Sequence, residues 1–125
     1  MKKKPKKRLN GRGCRKKGHD FERWVAQELR SLFPEARRHL EYHSRDANGV
    51  DIVNTPPYLI QCKRGKRYAS LSAMKEIQVC PIEGGIPVLV TQGDHTEPIA
   101  CIAFSDFKRL VSSRQKLLKK FLDGK

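Results

Sequence analysis

Three residues of this chain have the types and spacing of a metal-assisted hydrolytic site: Asp51, Gln61 and Lys63. Gln61 and Lys63 lie two residues apart, so in an extended strand they share a face and Cys62 points away. Asp51 belongs to a short run, residues 50–54, separated from residues 58–63 by Thr55-Pro56-Pro57, which forces a turn. The two runs read as a hairpin, which gathers a carboxylate, a carboxamide oxygen and an ammonium on one side of a small sheet. Burying Asp51 and Lys63 to no purpose would cost on the order of several kcal/mol of solvation, even if they paired.

Phosphodiester hydrolysis would make use of this set. Magnesium takes hard oxygen donors in an octahedron and keeps several waters, so the Asp51 carboxylate, the Gln61 side-chain oxygen and the Cys62 main-chain carbonyl can hold it incompletely. Substrate phosphate then completes the shell, and manganese is expected to substitute for magnesium. Lys63 would orient the attacking water or stabilise charge developing on the phosphoryl group. His43, Arg45, Arg64, Lys66 and Arg67 flank the hairpin on loops, where they can grip phosphates. The bland alternative for the triad is the exposed polar face of an edge hairpin.

The elements that must position these residues follow from apolar periodicity. Phe21, Trp24, Val25, Leu29, Leu32 and Phe33 form a helical stripe over residues 18–33, stopped by Pro34, with Trp24 in the core. Strands are expected at residues 36–42, 50–54, 58–63, 86–91 and 99–104. A second helix is expected from Leu71 to near Pro81, and a closing helix over residues 105–122 with Ser105 as its N-cap. The order is αβββαββα, an α/β fold with a mixed central sheet flanked by helices.

The 125 residues fit one domain. Residues 1–17 hold ten basic side chains, among them Lys16 and Lys17, and no acidic one, so they read as a disordered arm ahead of a single domain over residues 18–125. Removing those ten from the formal charge of +14 leaves +4 for the remainder, so the arm carries most of the excess. Such an arm seeks phosphates without sequence preference, and its attraction falls as salt rises. A solvated, membrane-surface or localisation tail is the competing reading; no amphipathic helix or lipidation signal accompanies it. No apolar run approaches a bilayer span, and a cytoplasmic location is expected, with a virus-encoded protein acting in its host's cytoplasm as a variant of it. The four scattered cysteines show no paired spacing and suit reduced thiols.

Val50-Asp51, nine residues, then Gln61-Cys62-Lys63, preceded by an acidic helix, resembles the PD-(D/E)xK nuclease superfamily. Within it the chain looks most like the archaeal-type Holliday junction resolvases, over residues 17–104. Gly18-His19-Asp20-Phe21-Glu22-Arg23 and Gly85-Ile86-Pro87-Val88-Leu89-Val90 add to the likeness. The resemblance implies a restriction-endonuclease-like fold, with Glu22 as the helical acidic residue that reaches the metal and Asp51 as its central ligand. Gln61 falls where the family usually has Glu, Lys63 matches its lysine, and Ser44 falls at its loop serine. It also implies a homodimer that nicks two strands of a four-way DNA junction symmetrically, in recombination and repair.

Two departures stand out: Val50 replaces a frequent proline, and Gln61 replaces a carboxylate with a neutral amide. The second lowers the expected metal affinity unless Glu22 or substrate phosphates supply the missing charge. Two alternatives therefore accompany the resolvase reading. One is a less selective nuclease of the same superfamily acting on duplex, flap or single-stranded DNA. The other is a non-catalytic, basic nucleic-acid-binding protein whose metal site is lost.

Overall fold

A computed structural model describes residues 11–39, 50–75 and 84–124. Helix α1 (Gly11–Leu29) buries Phe21, Val25 and Ala26, spaced so that they fall on one face of the helix. Beyond Leu29 the chain tightens into turns, with Phe33 N–H donating to Leu29 C=O at 2.7 Å, and Pro34 cannot continue the helix. The start of α1 differs from expectation. It begins at Gly11, seven residues before Gly18, so Arg12 to Lys17 are helical and do not belong to a disordered arm. Lysine and arginine are good helix formers, and Lys17 is fastened to Asp94 at 2.9 Å, which anchors this stretch to the body. Residues 1–10 of the expected arm lie outside the described residues.

Trp24 also departs from its assignment to the core. It is 43% exposed and stacks on Phe21 at a ring separation of 5.9 Å. The 3.6-residue period carries it to the rim of the buried stripe, where Val25 takes the interior position.

Five strands form one open, mixed sheet in chain order: β1 (Arg37–Arg38), β2 (Ile52–Val53), β3 (Tyr58–Arg64), β4 (Ile86–Gln92) and β5 (Ile99–Ile102). All neighbours pair antiparallel except β3 and β4, which run parallel. The β2–β3 turn is closed by Tyr58 N–H donating to Thr55 C=O at 2.7 Å and by the Thr55 hydroxyl donating to Tyr58 C=O at 3.1 Å. Asn54 takes a left-handed φ of 67°, a conformation its short polar side chain tolerates, and the Pro56-Pro57 bond is cis. The parallel β3–β4 step needs a crossover, and residues 65–85 supply it. Its described part contains a 3-10 turn, Leu71–Ala73, at the expected start of the second helix. Residues 76–83 of that expected helix lie outside the described residues.

The core lies between α1 and the sheet, where Phe21, Val25 and Ala26 meet Ala36, Ile52, Ile60, Cys62, Ile86 and Val88. Burying each large aliphatic side chain there contributes roughly 1.5–3 kcal/mol. The opposite face of β4 is buried as well. Leu89 and Thr91 are almost wholly inaccessible, and Ala69 N–H donates to the Thr91 hydroxyl at 2.9 Å, so the segment after β3 crosses that side. Burial on both faces suits the strand that carries the parallel pairing.

Helix α2 (Phe104–Asp123) follows β5 directly. Its N-cap is Ala103, with no side-chain cap, so the expected capping residue Ser105 sits inside the first turn instead. The helix begins one residue early because β5 ends at Ile102 and leaves only Ala103 as a hinge. Leu110 touches the core, and residues 111–124 are exposed throughout. Among the described residues the arrangement is α/β, with helices α1 and α2 and a five-stranded mixed sheet, and no described helix is long and apolar enough to cross a membrane.

Candidate active site

The β2–β3 pairing decides where Asp51, Gln61 and Lys63 stand. Ile52 opposes Ile60, and both lie in the core beneath α1. Cys62 joins them there, so alternation turns Gln61 and Lys63 to the other face of the sheet. Parallel register sets Gln61 beside Leu89 and Lys63 beside Thr91. Gln61 is 2% exposed, with its carboxamide oxygen fully buried, whereas Lys63, one step nearer the strand end, is exposed.

Asp51 stands just past the last β2–β3 pair, next to Gln61 along the antiparallel strands. Its main chain is held on both sides: its N–H donates to Ile60 C=O at 2.8 Å, and its C=O accepts from His39 N–H at 2.7 Å. Its carboxylate Oδ2 accepts the Cys62 main-chain N–H at 2.8 Å. An N–H of a strand points sideways within the sheet, so this carboxylate lies at the level of the β3 backbone, between the two faces. The register thus sets Asp51 opposite Gln61 and its carboxylate against the Cys62 amide, with Lys63 on the same face of β3 as Gln61.

Glu22 takes a different position. It projects from α1 on the core side of the sheet, and its Oε2 accepts from Arg38 Nε of β1 at 2.7 Å in a largely buried ion pair. Glu22 and Asp51 nevertheless share a neighbour. Burial, then the charge of Asp51, then that of Glu22, push the Cys62 thiol far above its ordinary range. Both carboxylates therefore lie within electrostatic reach of the Cys62 thiol.

Of the expected phosphate contacts, Lys16, Lys66 and Arg67 are exposed. Arg64 and Lys17 both donate to Asp94 Oδ1, at 3.0 and 2.9 Å, and so tie the end of β3 and the helix α1 to the β4–β5 turn. The Lys17 bond, followed by that of Arg64, holds the Asp94 carboxyl below its usual range. Ser44, His43 and Arg45 fall outside the described residues.

Arg38 and Asp94 are the contributors that sequence reasoning missed. Arg38 had a signal, since a strand over residues 36–42 sets alternate residues toward the helix that precedes it. Asp94 had none, because its partners lie 77 and 30 residues away.

Among the described residues, no three His, Cys, Asp or Glu side chains are grouped to hold a metal ion. No family model matches the chain, and no curated protein or solved structure is significantly similar to it.

Proposed function

We propose that the chain is a divalent-metal-dependent DNA endonuclease of the PD-(D/E)xK type, with a restriction-endonuclease-like fold, and that it resolves four-way junctions as a homodimer. The observation that supports this reading is the β2–β3 register, which sets Asp51 opposite Gln61, with the Asp51 carboxylate held on the Cys62 amide and Lys63 two residues along β3. A purely structural hairpin has no need of a carboxylate at the strand end, a buried carboxamide and an exposed ammonium on neighbouring positions.

The donor set fits magnesium in kind. Asp51, the Gln61 oxygen and the Cys62 carbonyl are all hard oxygens, and a single formal charge suits an ion that retains water and takes substrate phosphate as further ligands. Bound there, magnesium supplies Lewis acidity at the phosphoryl group and acidifies a water. The chain's own residues do the rest. The Cys62 amide fixes the Asp51 carboxylate, burial fixes Gln61 in one orientation, and exposed Lys63 can reach a phosphoryl oxygen and stabilise its growing charge. Lys66 and Arg67, exposed just after β3, are placed to grip flanking phosphates. A two-fold dimer presents two such sites to a junction of near two-fold symmetry, giving selectivity for shape without reading bases.

A second reading has its own support. Gln61 brings no charge, and Glu22 is paired with Arg38, so Asp51 is the carboxylate that would carry the negative charge of the site. That pattern suits a basic DNA-binding protein with a lost metal site. Labelled four-way junction and matched duplex, incubated in magnesium or chelator and resolved under denaturing conditions, separate the readings. Paired, magnesium-dependent nicks in the junction support the resolvase. Nicks in duplex, flap or single strands alike indicate a less selective nuclease, and binding without nicks in either buffer indicates the non-catalytic protein.

A further inference from the structure

Between helix α1 and the ends of β3 and β4 lies an open cleft of about 510 Å³. Lys17, Asp20, Phe21 and Trp24 line it from the helix, spaced at i, i+3, i+4 and i+7 so that they form one stripe. Arg64 and Gln92 line it from the sheet, one alternation beyond Cys62 and Val90. The volume falls within the roughly 300–1,000 Å³ of sites that hold one small molecule. Trp24 is 43% exposed and stacks on Phe21 with the ring planes 17° apart. Phe21 belongs to the core, so the indole is backed by fixed structure on one side and exposed at the cleft.

Positive charge borders this ring. Lys17 and Arg64 both donate to Asp94 Oδ1, at 2.9 and 3.0 Å, which holds them at the wall of the cleft. The bonds of Arg64 to described residues leave from Nη1, and a guanidinium carries five N–H donors, so its other donors can take a phosphate oxygen. Asp20 is paired with Arg23 at 3.0 Å. Lys66 and Arg67 stand on the loop that packs against Gly93 and Asp94. Around the mouth Lys17, Arg23, Arg64, Lys66 and Arg67 outnumber Asp20, Asp94 and Glu97.

We propose that this cleft takes one unpaired nucleotide of a DNA strand, its base stacked on Trp24 and its phosphate on Arg64. An aromatic face beside fixed cations is how single strands are held, base on ring and backbone on charge. Bases within a duplex are stacked on one another and show only their edges. A paired nucleotide must leave its helix to enter, whereas one already unpaired enters at least cost. Arg64 follows Lys63 as the last residue of β3, and alternation sets the two on opposite faces at the same end of the sheet. A strand held at Lys63 therefore reaches the cleft by passing the end of β3, and DNA with an unpaired base beside a branch is favoured over continuous duplex. The inference rests on the proposed function only in taking DNA as the partner; it needs neither metal nor cutting.

Trp24 is the single tryptophan of the chain, so its fluorescence reports this site alone. The full chain in chelator is titrated with a short single strand, with the blunt duplex of that strand and its complement, and with a strand of equal length whose sugars carry no bases. Anisotropy of the labelled DNA follows binding independently. Saturable quenching is expected with the single strand, and little with the duplex or the baseless strand. Trp24→Leu should bind the single strand at least about tenfold more weakly, with an unchanged salt slope because no phosphate contact is lost, and Trp24→Phe should bind within about threefold of wild type. Thermal unfolding shows whether Trp24→Leu is folded; if it is not, wild-type quenching and the affinity of Trp24→Phe decide. Absence of nicks in magnesium would remove the nuclease reading and leave these binding results as they are. A single strand that does not bind, or that binds with Trp24 emission unchanged, overturns the inference. So does folded Trp24→Leu binding as tightly as wild type, or a baseless strand that quenches as strongly as the normal one, which would make the cleft a site for phosphate alone.

Discussion

Arg38 Nε donates to Glu22 Oε2 at 2.7 Å, joining the edge strand β1 to helix α1 on the core side of the sheet. The pair leaves Glu22, a helical carboxylate within electrostatic reach of Cys62, neutralised by a guanidinium. Arg38→Ala should destabilise the fold by about 1–3 kcal/mol, the cost of leaving a partly buried carboxylate unpaired, measured by urea unfolding. If Glu22 contributes charge to the metal, the same variant should also cut at lower magnesium concentration than wild type. An unchanged magnesium requirement would remove Glu22 from the metal's surroundings and leave it a structural residue.

Gln61→Glu separates a metal site from an inert polar pair. A second carboxylate buried beside Asp51 repels it, so the melting temperature of this variant should fall in chelator. Magnesium should restore it by binding the folded state, and should raise the melting temperature of the variant more than that of wild type. Cutting should persist or increase. A melting temperature that is lowered equally with and without magnesium would speak for the non-catalytic reading.

Gly93 is required by a close approach of two loops. A Cβ there would lie 2.8 Å from Arg67 Cα, and Asp94 N–H donates to Lys66 C=O at 2.9 Å in the same contact. Backbone cannot yield as a flexible side chain does, so Gly93→Ala should cost about 1–3 kcal/mol in urea unfolding. It should also weaken DNA binding, because Lys66 and Arg67 lie on the displaced loop. Wild-type stability in this variant would mean that the loops are not packed together in solution.

Asp94 makes the fold acid-sensitive in a defined direction. Hydrogen bonds from Lys17 and then Arg64 lower its folded-state pKa below the unfolded value. Its contribution is therefore fully present above the ordinary carboxylate range and is lost as pH falls through the lower, folded-state pKa. The urea midpoint of wild type should drop on acidification through that window, and that of Asp94→Asn should drop less. Identical pH profiles would show that the link between Lys17, Arg64 and Asp94 adds nothing to stability.

Much of this arrangement was legible in the residues themselves. All five expected strands appear, and the hairpin that joins Asp51 to Gln61 and Lys63 could be read from two short apolar runs around Thr55-Pro56-Pro57. Period-two alternation also foretold that Cys62 would turn to the core. What escaped depends on contacts distant in sequence. The early start of α1 rests partly on Lys17 meeting Asp94, and charge composition alone made that stretch look like a solvated arm. Trp24 fits the apolar pattern of α1 yet lies at the edge of the buried stripe, a difference of one helical step that no pattern of residue types resolves. The pairing of Glu22 with Arg38 required knowing that β1 folds back against α1.

The most direct test of the central claim is single-turnover cleavage of a labelled four-way junction in magnesium, with binding of the same junction measured in parallel, for wild type and Asp51→Asn. The predicted result is paired nicks by wild type and at least a roughly hundredfold slower rate for Asp51→Asn, with junction affinity retained. Cutting by Asp51→Asn at the wild-type rate would contradict the assignment of Asp51, and with it the site at the β2–β3 pair.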